Sequence, residues 1–304
     1  MWQPKYIMQD GDLVPFADAR IHPLSLSVAY ATTIFEGVRA YHNRQTGEHA
    51  LFRVKEHLAR LTGGMKLMRF DRTFEPGFLE DALVQLIRAN EPDDDVYVRL
   101  LVYIGGIGPM TTTGPVNFTA AAIPREKPKY AETGMSLCVS SWTRLSDNAS
   151  PPRIKTTANY HNSRLALLQA KADGYDGAIM LTNQGKVSET PIACIFFVMN
   201  GKLITPHSSS DILESITRDT VIQLYKEMTG ENVVEREIDR SEIYLAEEAF
   251  ICGTGQEIIP VVSIDRLLIG TGDVGPVTSL LRKRYFDVAR GNTIDFPSWR
   301  TPLL

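Results

Sequence analysis

The chain has little of what marks several large functional classes. It carries three cysteines in 304 residues, Cys138, Cys194 and Cys252, with no C-x-x-C pair for zinc or thiol redox work. Each lies in an apolar, strand-like run, where a thiol behaves as a small buried hydrophobe. Basic residues are not in excess: 32 Lys and Arg against 36 Asp and Glu leave a formal charge of −4. That balance argues against binding nucleic acid or an anionic membrane surface. No apolar run approaches the ~18 residues of a membrane span. The opening MWQPKYIMQDGD lacks the basic-then-apolar pattern of a secretion signal. The expectation is a cytoplasmic protein in a reducing compartment.

Motifs are missing too. There is no Walker-A loop, no H-E-x-x-H and no G-x-S-x-G, and the six histidines show no metal-ligand spacing, so no metal is expected. One motif does match by letter: Gly270 to Gly275 reads G-x-G-x-x-G before a helical stretch. Only 29 residues follow it, with no second β-strand to complete a dinucleotide-binding β-α-β unit. An NAD-dependent oxidoreductase is therefore disfavoured. The better reading is a glycine-rich turn at a helix N-terminus, where anion binding is allowed but not required.

What is present is ordinary for a soluble globular protein: 43% hydrophobic and 22% charged residues. At roughly 100–200 residues per domain the length predicts two domains. Hairpins are expected at 4–16 and 36–53, followed by a helix carrying the stripe Leu58, Leu61, Met65 and Met68, weakened by Gly63-Gly64, and a second helix at about 76–90. Strands follow at about 95–104 and 117–123. The segment IPREKPKYAETG reads as an interdomain linker, giving an N-terminal domain over 1–123, a linker over 124–133 and a larger C-terminal domain over 134–304. The second part reads as a strand at SLCVSSW, a helix at 160–173, hairpins at AIMLTNQGKVSE and CIFFVMNGKLITP, a helix at 217–228, strands at 248–252 and 258–264, and a helix from Pro276. Strands and helices do not alternate strictly, which predicts an α+β fold with mixed or antiparallel sheets.

Eight segments, in order and spread over most of the chain, carry a resemblance: YATTIFEGVRAY (30–41), LFRVKEHLARL (51–61), VYVRLLV (96–102), SSWTR (140–144), KTTANYHNSRLALLQAKADGYDGAIML (155–181), KVSET (186–190), ILESITRD (212–219) and FICGTGQEIIPV (250–261). The set resembles the branched-chain amino acid aminotransferases, pyridoxal-phosphate (PLP) enzymes of fold type IV. The resemblance implies two domains with the cofactor between them, and transamination of leucine, isoleucine or valine with 2-oxoglutarate by a ping-pong route. It also implies small-molecule partners and at least a homodimer.

Such chemistry needs a lysine for the Schiff base, a carboxylate at the pyridine nitrogen, a donor to the phenolic oxygen and a nest for the phosphate. The resemblance puts Lys155 in the first role, Glu189 in the second and Tyr160 in the third. It places Arg60, Ile216, Thr217 and Thr254 around the phosphate, with Ser215 as a potential helix cap. It further implies Tyr97 and Arg99 above the cofactor, with Arg99 near a dicarboxylate. Tyr30, Phe35 and Arg39 would be pocket walls, Tyr30 reaching a neighbouring subunit, and Gly255-Gln256 would form the loop for the α-carboxylate. From position alone, other readings stay open: Lys155 as a surface lysine, Arg60 as a solvated helical arginine, Glu189 as a hairpin-end glutamate and Arg99 in an edge-strand ion pair.

The chain departs from the family around the substrate. A common asparagine is replaced near Cys194, Gly255-Gln256 stand where two small apolar residues are usual, and the linker and the 105–118 loop differ. D-amino-acid and (R)-amine transaminases and 4-amino-4-deoxychorismate lyase remain rivals within the fold, and a non-catalytic binding protein outside it. FEGVRAY with VYVR favours the branched-chain group, and intact Lys155, Glu189, Tyr160 and Arg60 favour catalysis.

Overall fold

The structure is a computed structural model, which describes residues 3–124 and 128–303. Residues 125–127 of the expected linker lie outside the described residues. The chain divides into two compact units: 1–126 with 154–158 and 287–304, and 127–153 with 159–286.

The first unit is built on β1 (Tyr6–Gln9), β2 (Asp12–Pro15), β3 (Thr33–His42), β4 (His49–Phe52), β5 (Val96–Ile104) and β6 (Val116–Pro124). Its helices are a single turn, α1 (Leu26–Ala29), then α2 (Val54–Leu67) and α3 (Pro76–Asn90). With the C-terminal strand Arg300–Pro302 the strands form a seven-stranded antiparallel sheet, in the order C-terminal strand, β4, β3, β5, β6, β1, β2. Alternation in V-Y-V-R-L-L-V decides its faces, because successive strand residues point to opposite sides. Val96, Val98, Leu100 and Val102 join Ile34, Val38 and Phe118 in one core with Leu58, Leu61 and Met65 of α2 and Leu79, Leu83 and Leu86 of α3. Gly64, which weakens α2 by propensity, is explained by packing: a Cβ there would lie 3.2 Å from Ile34 Cδ1.

The second unit holds β7 (Met135–Val139), β8 (Gly177–Ile179), β9 (Cys194–Met199), β10 (Lys202–Thr205), β11 (Val234–Glu235), β12 (Glu248–Gly253), β13 (Glu257–Ile264) and β14 (Leu267–Leu268). They form one sheet in the order β11, β10, β9, β12, β13, β7, β8, with β14 on β13. The pairs β10–β11, β13–β7 and β7–β8 are parallel and the rest antiparallel, so the sheet is mixed. Every residue of β9 is buried, which is why CIFFVM is a continuous apolar run without alternation. Helices α4 (Asn159–Ala172), α5 (Ile216–Thr229) and α6 (Pro276–Ala289) complete the list. The Asn200-Gly201 turn between β9 and β10 has both residues at positive φ, 51° and 70°, as a tight hairpin requires.

Two segments differ from the expected division, which ran the second domain unbroken from 134 to 304. Residues 154–158 belong to the first unit because their backbone pairs with β3: Phe35 N–H donates to Lys155 O (2.9 Å) and Thr157 N–H to Thr33 O (2.9 Å). The C-terminal residues join it because Arg300–Pro302 pairs with β4 and Trp299 stacks under the Arg53 guanidinium at 4.4 Å. The expected hairpin at 178–189 is a short brace. Only Gly177–Ile179 is strand, but Met180 N–H donates to Glu189 O (2.9 Å) and Ser188 N–H to Met180 O (3.0 Å). The glycine-rich turn at 270–275 serves no external anion at the α6 N-terminus. Glu248 fills that end, accepting from Val277 N (3.0 Å), Thr278 N (2.8 Å) and Thr278 Oγ1 (2.7 Å). Among the described residues no helix is long and apolar enough to cross a membrane, and no group of three or more His, Cys, Asp or Glu could hold a metal ion.

Candidate active site

In the first unit, register gathers residues that are far apart in sequence. β3 and β5 pair Phe35 with Leu101, Gly37 with Arg99 and Arg39 with Tyr97, so these residues share the sheet face turned away from the helices. Tyr97 lies across Gly37, where a Cβ would fall 1.9 Å from the tyrosine oxygen, so only glycine fits there. The Arg99 guanidinium sits 4.7 Å above the Phe35 ring and 5.6 Å from that of Tyr97. The Lys155 ammonium lies 4.8 Å from the same Phe35 ring. Lys155 and Arg99 are thus both cations against one aromatic ring. The edge-strand ion pair does not describe Arg99: β5 is interior to the sheet, and among the described residues Arg99 makes no salt bridge. Arg39 is fully buried on this face, with its guanidinium 5.8 Å from the Tyr41 ring. Tyr30, just after α1, is 47% exposed.

Arg60 is no solvated helical arginine. From α2 it grips Glu36 with Nε to Oε1 (2.7 Å) and Nη2 to Oε2 (2.8 Å), and His57 Nδ1 lies 2.8 Å from Oε2. Burial alone would push the Glu36 carboxyl up, but Arg60 and His57 outweigh it and hold it well below the usual carboxylate range. Burial lowers His57 more than Glu36 raises it, so the imidazole stays neutral and donates from Nδ1. Glu36 and His57 were quoted within FEGVRAY and VKEHL with no role assigned to them. The signal was available: a glutamate between apolar residues of a strand needs a buried cationic partner.

In the second unit, Glu189 is a buried carboxylate and no hairpin-end surface residue. Arg144 Nη2 lies 2.7 Å from Oε1, both side chains being 5% exposed. Leu213 N–H donates to the same oxygen (3.2 Å), and Cys194 Sγ lies 3.8 Å from Oε2. Arg144, in SSWTR, was another residue without an assigned role. Nearby in sequence order, Ser215 caps α5 by accepting from Arg218 N (3.3 Å), with Ile216 and Thr217 in the first turn. Thr217 Oγ1 and Thr254 Oγ1 are 3.5 Å apart, so two hydroxyls meet at the N-terminal end of α5. Gly255 and Gln256 are partly buried in the tight β12–β13 turn, closed by Gln256 N to Gly253 O (3.0 Å). Tyr160 lies partly buried in the first turn of α4.

The structure therefore brings Lys155, Phe35, Gly37, Arg39, Tyr97 and Arg99 onto one sheet face of the first unit, and Thr217 and Thr254 together in the second. Chemically, the first set offers an amine and a guanidinium beside an aromatic wall. The second offers a buried, arginine-held anion and a hydroxyl pair at a positive helix end. This donor set suits an aldehyde-bearing, phosphorylated pyridine.

Residues 33–264 match the sequence profile of the family described as amino-transferase class IV. The chain is 38% identical to a probable branched-chain-amino-acid aminotransferase of Aquifex aeolicus, over 97% of this chain and 95% of that one. Two solved structures are similar. One is the branched-chain amino acid aminotransferase of Thermobaculum terrenum in its PLP form, with 41% identity, 99% of each chain covered and a TM-score of 0.94. The other is that of the thermophilic archaeon Thermoproteus uzoniensis with norvaline, with 35% identity, 99% of this chain and all of that one covered, and a TM-score of 0.94. The chain belongs to the branched-chain aminotransferase family, within the class IV aminotransferases of fold type IV. It is an aminotransferase, and its cofactor is PLP.

Proposed function

We propose that the protein transfers the amino group of leucine, isoleucine or valine, in the L configuration, to 2-oxoglutarate by a ping-pong route. The observation that carries this reading is the shared ring: Lys155 and Arg99 lie 4.8 and 4.7 Å from Phe35. An amino acid reacting at Lys155 would meet an apolar wall suited to an aliphatic side chain, with a guanidinium at hand for the distal carboxylate of a dicarboxylate. The relatives' names, and the aliphatic norvaline in one of them, support the donor class.

When bound, PLP supplies an electron sink for the bond broken at the substrate α-carbon. Lys155 would hold the cofactor and, once released, would move the proton at that carbon. Glu189 would face the pyridine nitrogen and keep it protonated, and Tyr160 would donate to the phenolic oxygen. Arg60, Thr217, Thr254 and the backbone at Ile216 would hold the phosphate. The loop at Gly255-Gln256 is the candidate seat of the α-carboxylate, while Tyr30, Phe35, Arg39 and Tyr97 would wall the side-chain space. Tyr30 acts on a neighbouring subunit, which makes a homodimer the smallest active form. Three free, buried cysteines support a reducing, cytoplasmic setting.

The test is a half-reaction screen on the holoenzyme, following loss of the cofactor's visible band with each donor. L-leucine, L-isoleucine and L-valine are expected to react quickly, and borohydride is expected to fix the cofactor on Lys155. Arg99→Ala should slow the 2-oxoglutarate half-reaction by roughly tenfold to a hundredfold, the worth of a charged hydrogen bond, and leave that of leucine within about threefold. Rapid reaction with D-alanine or an (R)-amine and none with L-leucine overturns the donor assignment. A label on another lysine overturns the site.

A further inference from the structure

We infer that Arg144 is a positioning residue for the transfer reaction: its guanidinium fixes Glu189 and keeps it ionised, and through it sets the protonation of the cofactor's ring nitrogen. This rests on the assignment of Glu189 to that nitrogen in the proposed function.

Arg144 and Glu189 form an ion pair of 2.7 Å, with each side chain 5% exposed. Arg144 is anchored at both ends. Its backbone N–H donates to Leu181 O (2.8 Å), and its Nη1 donates to Ser163 Oγ (3.1 Å), in a buried serine of α4. The Leu181 end matters because Met180, next in the chain, binds Glu189 O (2.9 Å), so the arginine and the glutamate hang from the same backbone brace. The grip is also lopsided. Arg144 Nε is buried without a hydrogen-bond partner, and the guanidinium meets Oε1, the oxygen that also accepts from Leu213 N–H.

As a stabilising device this is a poor arrangement. Burying two charges costs solvation that their attraction scarcely repays, and an unpaired guanidinium N–H adds to the cost. As a device for charge it makes sense. A carboxyl as buried as Glu189 would by itself favour its neutral, protonated form. A permanent cation on Oε1 holds it ionised, and only an ionised carboxylate can hold a proton on a pyridine nitrogen by charge. Without Arg144, that proton resides on the Glu189 carboxyl, the ring nitrogen is neutral and the electron sink is weaker. One proton changes place, and nothing is gained or lost from the site.

If Arg144 works through Glu189, the two residues are not additive, and a mutant cycle on the holoenzyme reads this directly. Arg144→Met and Glu189→Gln are each expected to slow the L-leucine half-reaction by roughly tenfold to a few hundredfold, while the cofactor remains reducible onto Lys155. The double variant should be less than about threefold slower than Glu189→Gln alone. Arg144→Lys, which keeps the charge, should recover to within about fivefold of wild type. The pH at which the visible band of the holoenzyme changes should shift in Arg144→Met and stay near wild type in Arg144→Lys, a readout that a merely structural arginine would not move.

Arg144→Met at wild-type rate and with a wild-type pH profile overturns the inference alone, provided Glu189→Gln is slow. Glu189→Gln at wild-type rate overturns the role of Glu189 and this inference with it. If Arg144→Met does not fold, the double variant still decides, since it carries no unpaired buried charge. A further tenfold loss in it beyond Glu189→Gln is incompatible with action through Glu189.

Discussion

Two buried glutamates, one in each unit, are held by arginine in different ways. Glu36 is closed on both oxygens: Arg60 takes Oε1 and Oε2 with adjacent N–H groups, and His57 adds a third donor. Glu189 is held by Arg144 at Oε1, while the arginine's own Nε stays unsatisfied. A side-on, two-point grip fixes the orientation of both partners. Glu36 orients Arg60, and Glu189 is the carboxylate proposed above for the cofactor's ring nitrogen. Burial alone does not separate the two, because both are almost inaccessible.

The widest contrast is between stability and rate. Glu36→Ala leaves Arg60 and His57 around an empty, dry space and should cost about 3–5 kcal/mol, the usual loss on breaking a buried pair. A large drop in the urea midpoint would appear whether or not turnover is measured. Glu189→Gln should instead keep its cofactor and lose turnover. Equal stability losses with equal rate losses in the two variants would erase the distinction.

Acid should affect the first glutamate's cluster in two windows. His57 has its pKa lowered from 6.5 by burial, so the unfolded chain takes up a proton first and stability falls as pH drops below about 6.5. Glu36 is lowered from 4.5, so its contribution is complete above about 4.5 and is lost as pH falls further toward its folded value. Thermal melts from pH 8 to 4 should show Tm declining below pH 6.5 and more steeply below 4.5. His57→Asn, which keeps a donor for Glu36, should flatten the first part of the curve by roughly a few degrees. A flat wild-type profile between pH 6.5 and 5 would contradict the neutral, buried imidazole.

The smallest effect is expected at the second glutamate's thiol. A cysteine S–H is a weak donor, and Cys194 Sγ stands 3.8 Å from Glu189 Oε2. Cys194→Ala should change the leucine half-reaction by less than about threefold, since weak contacts contribute little to the barrier. Cys252, directly opposite Cys194 on β12, has its thiol pushed well up by burial. Neither cysteine should react with iodoacetamide in the native holoenzyme. A tenfold rate loss in Cys194→Ala would make the thiol a principal partner of Glu189.

Much of this was legible beforehand. The alternation of VYVRLLV separated Val96, Val98 and Leu100 from Tyr97 and Arg99 correctly, because side-chain direction in a strand depends only on position parity. The helical stripes of α2 and α3 and the Asn200-Gly201 turn are equally local. The PLP-enzyme family was legible in eight ordered segments. The residues that hold others in place were not. Glu36, His57 and Arg144 sat inside quoted motifs, yet nothing local says that Glu36 meets Arg60, 24 positions on, or that Arg144 meets Glu189, 45 positions on. Cys194 and Cys252, 58 positions apart, are register partners.

By itself, then, the sequence determined the long strands and helices, the faces they bury and the family the chain belongs to. Those properties follow from periodicities of 2.0 and 3.6 residues and from short segments read in order. Tertiary structure alone decided that residues 154–158 pair with β3 and bring Lys155 to Phe35, that Gly37 makes room for Tyr97 beside Arg99, that Glu248 occupies the α6 N-terminus, and that Glu36 meets Arg60 and Glu189 meets Arg144. The physical reason is that a buried charge takes its partner from whatever the packing brings within about 3 Å, and that neighbour is chosen by long-range register and helix docking.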